Sequence, residues 1–298
     1  AAIPVHVLTE PFTAVVASPT VAGCPYGVAV NAAGVGYVTS ICGGAVFRFD
    51  EPARTLGSSV TVGASPSYVA FNPAGTVAYV ANQTGQSVSA IDVGTNSVTA
   101  TLPLTGAEVY NLKVSPDGNR LYVTRQDGKL YVIGTAALNI ITTVAVGTGA
   151  NGLAFHPTKA ILYVSAIQSG TVTIVNTDGF AVTHTDTVGG MPQRIAVSPD
   201  GSELYVANEI NGLDIINLDT DVISHVALNG TAIGLALTPS GDYVYVALAN
   251  GGVVKVVDVG AREVYKTINT GGDPRNIAIA ADGTVIVADQ TGYLRFIH

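Results

Sequence analysis

Lys113 interrupts an apolar run, Asn111-Leu112-Lys113-Val114, at a point where a strand interior would bury it. A lysine there either reaches a wet channel or pairs with a Glu or Asp across it. If desolvation lowers its pKa, the amine can act as an anion-binding group or as a reactive base or nucleophile. Tyr110, three residues upstream, is the acid–base partner that a Lys113-dependent catalyst would use. Arg125, Arg194 and Arg275 are three of only eight arginines. Their forked guanidinium groups suit carboxylate or phosphate, although exposed loops also carry arginines that nearby acids neutralise. Tyr26, Tyr68 and Tyr110 offer rings for a sugar or aromatic ligand, or caps for the core. Asn82, Asn208, Glu209 and Asp289 supply oxygen atoms of the kind Ca2+ or another divalent cation takes. The five histidines fall in a turn (His156), in outer strands (His184, His225) or near the ends (His6, His298). A Ser–His or Cys–His pair is therefore not expected, and no GxSxG, HExxH or Walker loop occurs.

These residues are placed by a repeat. Its clearest copy is Tyr110–Ile133, in which an apolar run ends in Ser-Pro-Asp-Gly and two further short runs follow across tight turns. The anchor tyrosine recurs as Tyr37, Tyr79, Tyr122, Tyr163, Tyr205 and Tyr245, with Ile286 in the seventh slot, at spacings of 40 to 43 residues. A period of about 40 to 45 residues with four strands each is the mark of a propeller blade, and no helical periodicity competes with it. The expected fold is all-β: a seven-bladed propeller of four-stranded antiparallel blades. Inner strands start at Gly27, Tyr68, Asn111, Gly152, Arg194, Gly234 and Asn276. The turns after them read NAAG, NPAG, SPDG, HPTK, SPDG, TPSG and AADG, so the turn at Lys159, which lacks the closing glycine, should differ. The slot of Lys113 is alanine in the six other blades: Ala29, Ala70, Ala154, Ala196, Ala236 and Ala278.

The strings YVTS, YVAN, YVTR, YVSA, YVAN and YVAL carry a family resemblance. The chain resembles the YVTN-type β-propeller repeat proteins of bacterial surface layers and periplasm over essentially its whole length. That resemblance implies seven blades and an extracytoplasmic home (secreted, periplasmic or cell surface), and no single activity.

The chain ends just after a third strand, Tyr293–Ile297, so Phe12–Ser18 is expected to supply the missing outer strand of the last blade. Pro4–Leu8 resembles a further strand with no assigned place. Small residues at Ala1 and Ala2 suit a processed terminus. The 298 residues are read as one domain, 1–298. Net charge is −8 with 13 Lys and Arg, which argues against nucleic acid and anionic membrane surfaces, and no apolar run is long enough to insert. Cys24 and Cys42 fall at the same end of the first blade, so a disulfide is geometrically reasonable and points to an oxidising compartment. Asn82-Gln83-Thr84 and Asn229-Gly230-Thr231 match the glycosylation acceptor pattern.

The start of strand one, the end of strand two and the loop that follows share one rim, the mouth. By the repeat, it holds Tyr26, Tyr68, Tyr110, Asn111, Arg125, Arg194, Asn208, Glu209, Arg275, Asn276 and Asp289, with Lys113 deeper. The principal expectation is a monomeric binding module for a small anionic or carbohydrate ligand or a protein partner, with no cofactor. The alternative is an enzyme at the same mouth: a metal-assisted lyase or hydrolase, or a catalyst using Lys113 with Tyr110. A structural surface-layer repeat is a third reading.

Overall fold

The computed structural model describes residues 10–298, so the expectations for Ala1, Ala2, Pro4–Leu8 and His6 lie outside the described residues. Among the described residues, twenty-eight strands form seven four-stranded antiparallel sheets, one per repeat. Blade 1 is Pro25–Val30, Val35–Ser40, Ala45–Asp50 and Thr55–Thr61, from axis to rim. The inner strands of blades 2 to 7 are Pro66–Phe71, Val109–Val114, Ala150–Phe155, Pro192–Val197, Thr231–Leu237 and Pro274–Ile279. Blade 7 is completed by Val15–Ala17, which pairs antiparallel with Tyr293–Ile297. The two ends of the propeller are thus knitted into one sheet, as the sequence suggests.

The apolar runs do not alternate cleanly because both faces of each blade are covered. In blade 3, Leu121 and Val123 pack toward blade 2, and Tyr122 between them packs toward blade 4. Seven such clusters fill the seven gaps between neighbouring blades. The repeated tyrosines are packing residues: Tyr37, Tyr122, Tyr205 and Tyr245 are all at most 1% exposed. Outer strands such as Ser97–Pro103 leave most residues in water. Their Thr-rich composition suits that edge.

Six of the turns after the inner strands close with glycine at positive φ, as at Gly118 (φ 77°). The fourth differs: the Lys159 N–H donates to the His156 ring at 3.0 Å rather than to a backbone carbonyl. Cys24 and Cys42 form a disulfide, with Cα atoms 5.3 Å apart and a sequence separation of 18. Closing a loop of that size stabilises a fold by about 3 kcal/mol through the unfolded chain.

Candidate functional site

Each inner strand begins at the mouth and descends along the axis. Near its start the register slips, as between Val109 and Asn111 in blade 3 and between Pro192 and Ile195 in blade 5. A bulge re-aims side chains, and here it turns a tier of residues toward the axis. That tier is Gly27, Tyr68, Asn111, Gly152, Arg194, Gly234 and Asn276 around the ring. The glycines have a steric cause. A Cβ on Gly152 would sit 2.4 Å from the Gln193 carbonyl oxygen, and one on Gly234 would sit 2.5 Å from that of Arg275. Each lets the next blade come close enough to deliver a large polar side chain, Arg194 and Asn276 respectively.

Three cavities follow one another down the axis. The uppermost, about 200 Å³, is lined by Tyr26, Gln83, Tyr110, Asn151, Gln193 and Arg194. The middle one, about 260 Å³, has Arg194, Tyr68, Asn111, Asn276 and Lys113 as its polar lining. The lowest, about 330 Å³, shares Tyr68 and Lys113 with the middle one, and its remaining lining side chains are apolar. Arg194 belongs to both upper cavities.

Arg194 is 6% exposed and reaches Tyr68, with its guanidinium carbon 4.8 Å from the ring centroid. This cation–π contact spans from blade 5 to blade 2, between the uppermost and middle cavities. The Arg194 Nη1 donates to Asn151 Oδ1, and its buried Nε has no partner. Asn276 turns its Oδ1 back to accept from the Ile277 N–H at 2.8 Å, and its buried Nδ2 has no partner either. Unfilled donors at such depth are uncommon in native folds.

Lys113 is the most open residue of its strand, because it faces the axial space rather than a neighbouring blade. The strands around that axial space desolvate the ammonium and lower its pKa. Of the two settings open to a lysine here, the wet channel is the one found: among the described residues no carboxylate pairs with Lys113, nor with Arg194. Residues 1–9 contain no Asp or Glu. A protein of net charge −8 thus places two basic side chains along its axis with no paired carboxylate among the described residues.

Several residues expected at the mouth face elsewhere. Arg125 is 3% exposed and turns outward along its own blade, where Nη1 donates to the Tyr131 hydroxyl at 2.7 Å and Nη2 pairs with Asp127 at 3.4 Å. Arg275 stays at the rim, held by Asp273 at 2.5 Å. Asn82, Asn208 and Asp289 end their second strands as corner pins. Asn208 Oδ1 accepts from the Met191 N–H at 2.9 Å, and its Nδ2 donates to Asp214 at 2.8 Å. Asp289 accepts from the Asp273 N–H at 2.8 Å and pairs with Arg295 at 3.0 Å. Asn82 bonds Ser87, Ser89 and the Gly63 N–H. Glu209 accepts from Gln193 at the rim. The oxygen ligands proposed for a divalent cation thus lie in three separate blades, each with its own partners. Among the described residues no three His, Cys, Asp or Glu gather into a metal-sized group.

Tyr110 and Lys113 share none of these three cavities; Tyr68 is the tyrosine that lines both of those holding Lys113. Burial, and then the nearby Glu108, raise the Tyr110 pKa, so it stays a neutral phenol. Tyr26 shares the uppermost cavity with Tyr110. Asn151 and Gln193 gain weight that sequence reasoning did not assign them, since both support Arg194. The only advance signal was their place at the start of the inner strands.

Fold and site together define a seven-bladed propeller whose axial cavities are lined by Arg194 and Lys113 with no carboxylate among the described residues. Residues 134–293 match the family model of the seven-bladed β-propeller lactonases, and the chain belongs to that family. An uncharacterized protein, YncE of Salmonella typhimurium, is 21% identical over 82% of this chain and 74% of its own. A seven-bladed β-propeller protein of Mycobacterium tuberculosis, Rv1057, is 26% identical over 40% of this chain and 32% of its own. Among solved structures, a chain of Kuenenia stuttgartiensis hydrazine synthase superposes with a TM-score of 0.84 over 99% of both chains at 18% identity, a likeness of fold. No helix among the described residues is long and apolar enough to cross a membrane.

Proposed function

We propose that the chain is a hydrolase of cyclic esters that works at the axial cavities, with Lys113 as general base and Arg194 as the group that holds the developing anion. The carrying observation is the unpaired Lys113 facing the cavity it shares with Arg194, with no carboxylate in its lining. Membership of the lactonase family supports the reaction class. Neutral Lys113 takes a proton from water as the water oxygen attacks the lactone carbonyl. The carbonyl oxygen becomes an oxyanion beside the guanidinium. The ring C–O bond then breaks, and the Lys113 ammonium returns its proton to the leaving alkoxide, giving a hydroxy acid. A lysine serves as base near neutrality when burial lowers its pKa, which is the direction found here.

The test is proton release from a panel of γ- and δ-lactones. Lys113→Met should lower kcat at least 100-fold with the fold intact, and the wild-type rate should rise with pH along a limb below the ordinary lysine value of about 10.4. Turnover retained by Lys113→Met would remove the proposal. A second reading, a binding module for a small anion, is favoured by the absence of any histidine or carboxylate in the lining of the middle cavity. It predicts saturable anion binding with no lactone consumed. The disulfide and the resemblance to surface-layer propellers support an extracytoplasmic setting, which fractionation of the source cells would check.

A further inference from the structure

The lowest cavity has no role in the hydrolysis itself. Its floor and walls include Ala29, Val30, Ala70, Phe71, Ala278 and Ile279, contributed by blades 1, 2 and 7. Only Tyr68 and Lys113 bring side-chain polarity, and both stand at the boundary with the middle cavity. The middle cavity has Arg194, Asn276, Asn111 and Lys113 in its lining, and the Arg194 Nε and Asn276 Nδ2 are buried behind that lining without partners. A chamber lined by basic and amide side chains therefore adjoins one whose side chains are apolar but for Tyr68 and Lys113. A small, fully polar anion leaves the lower space unfilled, and the apolar side chains of that space favour covering by an apolar group over exposure to water. Its volume of about 330 Å³ is at the small end of ligand sites, roughly 300–1,000 Å³.

We infer that the natural ligand is amphipathic, a lactone bearing a short unbranched alkyl chain, whose ring-opened carboxylate lies at Arg194, Asn276 and Lys113 and whose tail fills the lower cavity. The inference rests on the axial site being the working one and assigns it a substrate class. Arg194 is a binding residue for the head, and the alanine tier sets the room for the tail. Alanine at Ala29, Ala70 and Ala278 is what keeps the passage past Lys113 open.

The test is calorimetric titration of the whole chain with straight-chain carboxylates from acetate to octanoate, with 1-hexanol and hexylammonium as head-group controls. Affinity should rise roughly three- to fourfold per added methylene until the cavity is full. Both controls should bind at least tenfold more weakly than hexanoate. Arg194→Gln should weaken all carboxylates alike and keep the chain-length step. Ala278→Phe should abolish the step and spare acetate. Ala70→Leu, a smaller change read by the same titration and by circular dichroism, guards against a folding failure of the larger one. A flat chain-length series, or hexylammonium binding as well as hexanoate, overturns the inference. The two proposals fail separately. A carboxylate series that behaves as stated without any lactone turnover sinks the hydrolase reading alone. Lactone turnover with rates indifferent to alkyl length sinks the amphipathic substrate alone.

Discussion

Lys113 costs the folded protein stability, because its ammonium is desolvated without a counter-charge. Its folded pKa lies below its unfolded value of about 10.4. Between those two values the unfolded chain holds a proton that the folded chain has released, so the penalty is full at low pH and disappears as pH rises through the unfolded value. Lys113→Met should therefore raise the thermal midpoint at pH 7, and the gain should shrink to nothing above about pH 10.4. Melting curves of the two proteins from pH 6 to 11 check this. A midpoint lowered at pH 7 would mean that the lysine has a stabilising partner after all. A destabilising residue kept at the axis is what a working site looks like.

At the scale of the element, the blades share a backbone plan and differ in how their corners are pinned. Asn208 is fully buried and bonds both the incoming loop and the Asp214 carboxylate of the third strand. Asn208→Ala strips these partners and should cost about 1–3 kcal/mol in urea unfolding. Blade 4 has Ala166 in the same slot and pins its loop differently, through Ser169 Oγ accepting from the Thr148 N–H at 2.8 Å. Gly152→Ala should likewise cost about 1–3 kcal/mol, because its Cβ meets backbone that cannot swing aside. It should also move Arg194 and lower anion affinity. An alanine variant with wild-type stability and affinity would show that the blades can separate freely at that point.

For the molecule as a whole, closure depends on a few contacts between distant parts of the chain. The Tyr245 hydroxyl donates to the Phe12 carbonyl at 2.8 Å, and Phe12 stacks on His298 with centroids 3.9 Å apart. Neighbouring blades are tied by Tyr37 to Asn96 at 2.6 Å and by Arg120 to the Thr177 carbonyl at 2.8 Å. The blade tyrosines are buried, and burial pushes Tyr163 up to about 12 with the others shifted the same way. Each phenol stays protonated in the fold when it would ionise in the unfolded chain. Their contribution is complete below about pH 10, the unfolded value, and is lost as pH rises through the folded values. Alkaline unfolding should begin near pH 10 and coincide with tyrosinate absorbance near 295 nm. Tyrosinate appearing well before the loss of β-sheet ellipticity would contradict this burial.

The amino-acid order by itself determined the seven blades, the closing role of the segment around Val15, the Cys24–Cys42 pair and the alanine tier broken by Lys113. All of these are local patterns repeated at a fixed period, and a strand's register and turn chemistry are written in neighbouring residues. Only the tertiary structure decided which mouth residues face the axis. A bulge in each inner strand turns Arg194 and Asn276 inward, whereas Arg125, at the end of a second strand, is drawn outward by Tyr131 of its own blade. The same holds for Lys113, whose want of a counter-charge depends on what seven separate strands bring to one axis, a property that no single stretch of sequence contains.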